Sequence, residues 1–142
     1  MDREAVFNAL FVAARTVSWG GQTFGYASRR VKLFSDLPAL PALCQAEHDE
    51  VHVAVAGLEP KRTLGVAWMI HHATADPEAV PASVNNAILD AVEAALAPDS
   101  ADGCCTLGGL VAHCWIEGEV FKDPGDLDGQ ALLIVPIKIL AP

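Results

Sequence analysis

The chain has 142 residues, 52% of them hydrophobic and 19% charged, with a formal net charge of −9; this is one domain of ordinary size, long enough to bury a core without disulfide or metal staples. Five Lys and Arg stand against two Asp and Glu in residues 1–34, and four against sixteen in residues 35–142. So acidic a body excludes sequence-independent DNA binding, which needs phosphate-neutralising cations in number, and so apolar a composition suggests that other subunits cover part of the surface.

Taken in chain order, Val6, Phe7, Leu10, Phe11, Ala14 and Val17 recur at steps of three and four, with Arg3, Glu4, Asn8 and Arg15 opposite. That spacing predicts an amphipathic helix over residues 3–18, capped by Asp2, with Glu4 at the positive end of its dipole and Gly20-Gly21 leading the chain out of it. The start lacks a basic segment and a continuous apolar run, so no secretory signal is expected and the chain should stay in a cytoplasm. Residues 22–35 keep no period and read as a long surface loop with a short strand near 31–34.

Pro38 and Pro41 stop any helix, and residues 42–47 read as a first strand followed by a turn at His48-Asp49-Glu50. Val51, Val53 and Val55 alternate with small or polar residues, as do Leu64, Val66, Trp68 and Ile70, which predicts two more strands joined by a turn with a charged tip at 57–62. A second helix begins near Val84, buries Val84, Ile88, Ala91, Val92, Ala95 and Leu96, and ends at Pro98. Beyond it, Leu107-Gly108-Gly109 opens a strand in which Leu110, Ala112, Cys114 and Ile116 share a face. An acidic connection at 122–129 leads to the last strand, residues 131–140, apolar on both faces apart from Lys138, in which Pro136 implies an edge, a bulge or a contact with another chain. The reading is α+β: two main amphipathic helices packed on a mostly antiparallel or mixed sheet of about five strands, in a single domain spanning 1–142.

Signs of chemistry are few. No G-x-S-x-G elbow, P-loop or dinucleotide motif occurs. Cys44 and Cys114 fall in strands and read as small core thiols; Cys104-Cys105 lacks the spacing of a metal chelate. His113 and Cys114 are neighbours on a strand and point to opposite faces, as do His71 and His72, so neither pair makes a nucleophile with its base or a two-His ligand set. The run Glu47-His48-Asp49-Glu50 reads as solvated, and the carboxylates of 123–129 depart from the EF-hand order. No catalytic residue, cofactor or metal is expected. No stretch approaches the roughly 20 apolar residues of a membrane helix.

The order of helix 84–96, Leu107-Gly108-Gly109 turn and strand, acidic glycine loop and Gly129-Gln130 strand, preceded by the amphipathic start and the proline-rich entry at 37–43, resembles the tail-terminator proteins of long-tailed bacteriophages. The resemblance covers most of the chain and rests on order and spacing. It implies a structural virion protein of the tail, made in the host cytoplasm, that closes into a homo-oligomeric ring, six-fold in the family. Such a ring caps the tail tube, ends its polymerisation and receives the head–tail connector. It implies no enzyme activity, no specific nucleic-acid binding and no membrane. A neck or head–tail joining protein shares these features; a small enzyme or ligand-binding protein would instead gather His48, His71, His113 or Cys44 in a deep pocket. The family fixes no functional residues, so interface residues are expected from loop position and charge: Arg29, Arg30, Lys32, Lys61 and Arg62.

Overall fold

A computed structural model describes residues 1–142. The first element is the helix α1 (Arg3–Thr16), whose Asp2 cap accepts a hydrogen bond from the Ala5 amide at 3.1 Å. It buries Val6, Leu10 and Ala14, one stripe of the apolar period. The helix ends before Gly20 and Gly21. Both glycines instead adopt left-handed φ values, 55° and 78°, in the two-residue turn between β1 (Ser18–Trp19) and β2 (Gln22–Thr23). Two successive positive φ values are what a tight hairpin of this type requires. The strand expected near 31–34 is absent. The chain pairs earlier, at β3 (Tyr26–Ser28), and passes through a short 3-10 turn at Phe34–Asp36.

Two long strands follow, β4 (Ala42–Val53) and β5 (Lys61–Ala73), antiparallel along their whole length. His48-Asp49-Glu50 is therefore not a turn. Pairing with Leu64–Val66 overrides its polar composition, and a bulge between Glu47 and Asp49 absorbs His48. Helix α2 (Pro81–Ala95) starts with Pro at its first position, where the missing N–H is no loss. The glycine block after it does not begin a strand. Leu107, Gly108 and Gly109 all have positive φ, in a turn pinned by Asp99, which accepts the Thr106 and Gly108 amides at 2.6 and 3.0 Å. Only β6 (His113–Ile116) is extended there, so Cys114 faces the core while Leu110 and Ala112 are exposed. A strand not expected from sequence, β7 (Phe121–Asp123), precedes β8 (Gln130–Leu140).

The main sheet has six strands in the order β3-β4-β5-β8-β6, with β7 also on β8; only β3–β4 is parallel. Two helices against a largely antiparallel mixed sheet make the fold α+β. β8 is an inner strand, which Pro136 would ordinarily forbid. The exception has a local cause. β6 pairs up to Ile137 and β7 begins at Ile134, leaving a gap opposite Pro136, whose carbonyl accepts the Glu117 amide at 3.2 Å. The proline nitrogen faces the same side, where no ladder bond is lost.

Both helices lie against one face of the sheet. Leu64, Val66, Trp68 and Ile70 of β5 and Leu133, Val135, Ile137 and Ile139 of β8 join Val6, Leu10, Ile88 and Val92 in one buried cluster. The alternate residues of the same strands face away from it.

Candidate interaction surfaces

The core side of the sheet contains a polar chain that composition alone does not announce. Trp68 Nε1 donates to Gln45 Oε1 (3.0 Å), and Gln45 Nε2 donates to the Phe7 carbonyl and to Glu47 Oε2, both at 3.0 Å. Arg29 then grips Glu47 through Nε and Nη2 (2.8 and 2.7 Å) and Glu4 through Nη1 and Nη2 (3.0 and 2.9 Å). Two bidentate pairs on one guanidinium tie α1 to β4 at the exit of β3. Arg29 holds the carboxyls of Glu47 and Glu4 below the usual carboxylate range. Nearby, Arg3 forks onto Glu50 at 2.7 and 2.8 Å and brings its carboxyl down to about 2. Arg29, expected in an exposed interface loop, is thus an internal clamp with 27% of its side chain accessible.

The opposite face of the sheet has only partial cover. The segment after β3 shields its upper rows, with Phe34 edge-on to His71 at 5.9 Å and Lys32 over the Tyr26 ring at 5.2 Å. Below that, the residues that register across the strands are Ala46, Ala67 and Pro136, then Met69, Ile134 and Phe121, with Trp115 and Leu140 lower down. These are half-buried or exposed and none is charged, while Cys44, beside Met69 in the same row, is fully buried. The charged pair within this face is Asp49 and Lys138, 4.0 Å apart.

Two charged features flank this face, one beyond the strand ends of β4 and β5 and one along the β6–β7 edge. Beyond its pairing with β8, the β4–β5 hairpin continues as an arm through residues 54–60. Val53, Val55 and Leu58 are 51%, 54% and 70% exposed there, and Lys61 and Arg62 stand at its base without an acidic partner. On the far side, the connection from β6 to β7 exposes Glu117 and Glu119, followed by Asp123, with Lys122 as the one cation among them.

The histidine and cysteine side chains are dispersed. His48 is exposed beside Asp49. His71 is buried with Nε2 unpaired, and burial lowers its pKa. His72, on the other face, bonds Asn85 Oδ1 of α2 at 2.6 Å. Cys44 is buried in β4. His113 stacks on Trp115 and accepts the Cys105 amide through Nδ1 at 3.2 Å. Cys105 and Cys114 are buried free thiols, and burial pushes Cys114 up to about 12, a value that suits packing and not nucleophilic attack. No group of three or more His, Cys, Asp or Glu is arranged to hold a metal ion. In the acidic loop, Asp123 and Asp128 accept the amides of Gly125 and Gln130, so they cap turns. Asp128 borders a cavity of about 310 Å³ shared with Asp76 and Asp126.

Of the five cations expected at interfaces, Arg29 is held internally, Lys32 lies on Tyr26, and Arg30 stays exposed beside Val31 and Leu33. Lys61 and Arg62 share the arm. No helix is long and apolar enough to cross a membrane. A scan against models of known protein families found no match to this chain, and a search of curated proteins found none either.

Proposed function

We propose that the chain is a structural subunit that associates with copies of itself into a ring, and that this ring caps the tail tube of a long-tailed bacteriophage and presents a surface to the head connector. The observation that carries the self-assembling part is the one-sided cover of the sheet: helices protect one face, while Met69, Ile134, Phe121, Pro136 and Trp115 line an opposite face left half-exposed. Burying such a face against neighbouring subunits is worth about 25 cal/mol per Å² of apolar surface removed from water. The capping part rests on the resemblance in element order and on the acidic body, which would repel DNA passing through a ring.

In this reading the chain performs no catalysis. Its work is geometric: a closed ring at the growing end leaves no free tube surface for the next subunit. The ring is six-fold if the family resemblance holds. Free subunits gain from the tube as a template, because a template raises the effective concentration of neighbours. The test is polymerisation of the tail-tube protein with and without the purified chain. Capped tubes of limited length are expected; tubes that grow to the same lengths in both cases contradict the reading.

A further inference from the structure

We infer that the β4–β5 arm of one copy lies on the open sheet face of the next, with Lys61 and Arg62 set against Glu117, Glu119 and Asp123 at that face's far edge. The inference rests on the self-assembling reading above and names its contact.

Three features of the fold carry it. First, the two surfaces match in chemistry: the arm is apolar at Val53, Val55 and Leu58 and basic at its base, and the open face is apolar with an acidic rim. A chain of net charge −9 repels its copies over most of its surface. Here Lys61, on the open-face side of β5 and without an internal partner, meets carboxylates, with Arg62 next to it on the other side of the strand. Second, the arm and the rim are well separated on one sheet, the arm beyond the strand ends of β4 and β5 and the rim along the β6–β7 edge. Surfaces so placed pair head to tail, the heterologous contact that gives a ring where its rotation closes.

Third, the edges themselves are poor sites for adding strands. Along residues 46–53 the outer edge of β4 carries Glu47, His48, Asp49, Glu50 and His52 and is broken by the bulge, and the other edge is split into two short strands. Charges and bulges at an edge discourage strand addition. Association through a face, with the arm as its occupant, is the route that remains.

The test is a charge exchange read by sedimentation velocity over a range of concentrations. Lys61→Glu with Arg62→Glu should weaken association about tenfold or more, as should Glu117→Lys with Glu119→Lys, because each places like charges together. Circular dichroism should match wild type in both, since Lys61, Glu117 and Glu119 are exposed and Arg62 is half-buried at the end of the hairpin. Mixing the two variants should restore association, each supplying the arm that the other's rim accepts, and a chain carrying all four changes should associate alone. Wild-type association that survives both reversals, or a mixture that fails to recover it, overturns the arm contact and leaves the ring reading standing. A wild type that stays monomeric in solution and is absent from tube ends overturns both.

Discussion

The carboxylate of Asp49 lies across Gly65, filling the space that a Cβ would need, and reaches toward Lys138 Nζ 4.0 Å away on the next strand. The glycine is there because a charge on β4 crosses β5 to meet a charge on β8, and only a residue without a side chain leaves the path clear. Gly65→Ala should turn Asp49 out into solvent, where it is already 54% exposed, and cost less than ~1 kcal/mol, the worth of an exposed pair. In an Asp49→Ala background the same change should be neutral or stabilising, because strand glycines weaken strands. Urea unfolding of the double-mutant cycle reads this, and equal costs in both backgrounds would contradict it.

Arg29 bears a different load. Arg29→Met removes four charge-assisted hydrogen bonds and leaves Glu47 partly buried without its cation, so it should cost about 2 kcal/mol or more. Arg30→Glu, on an exposed residue, should fall within about 0.5 kcal/mol of wild type. Thermal unfolding of the two single variants separates the clamp from the surface position, which a joint reversal of both residues would confuse.

Val135→Asp should unfold the subunit. Val135 is fully buried opposite Trp68, and an unpaired carboxylate there carries a desolvation penalty of several kcal/mol, comparable to the stability of a whole domain. Soluble protein with wild-type circular dichroism would contradict this placement.

Acid should act in two stages. Burial lowers the pKa of His71 from its ordinary 6.5, so the unfolded chain binds the proton more readily. Stability from this residue is complete above about pH 6.5 and declines as pH falls below it. The lowered carboxyls of Glu4, Glu47 and Glu50 contribute stability that is present above their ordinary 4.5 and is lost as they protonate at lower pH. His71→Phe should flatten the unfolding midpoint between pH 7 and 5 and leave the lower decline in place.

These residues also mark where a single sequence is informative. The period of Val6, Leu10 and Ala14 and the apolar run from Ala131 to Leu140 are local signals reinforced by burial, and they appear in the fold as α1 and β8. The run His48-Asp49-Glu50 looks like a turn because its composition is local, whereas its pairing with β5 is not. Leu107-Gly108-Gly109 sits before an apolar stretch, yet three left-handed residues in succession make a turn and delay the strand to His113. Arg29 reads as a surface cation because its partners, Glu4 and Glu47, lie 25 and 18 residues away. The buried contact of His72 with Asn85 is hidden for the same reason. The open face was foreshadowed only in part: β8 is apolar on both sides, but which side the helices would leave bare depended on the whole sheet.

In the proposed function, copies of this chain form a ring at one end of a tail tube. Electron microscopy of tails purified through a tag on this chain tests it most directly. A single ring of density is expected at the head-proximal end of each tail, and tubes of uncontrolled length when the chain is withheld. Tails of normal length that lack the chain altogether would contradict it.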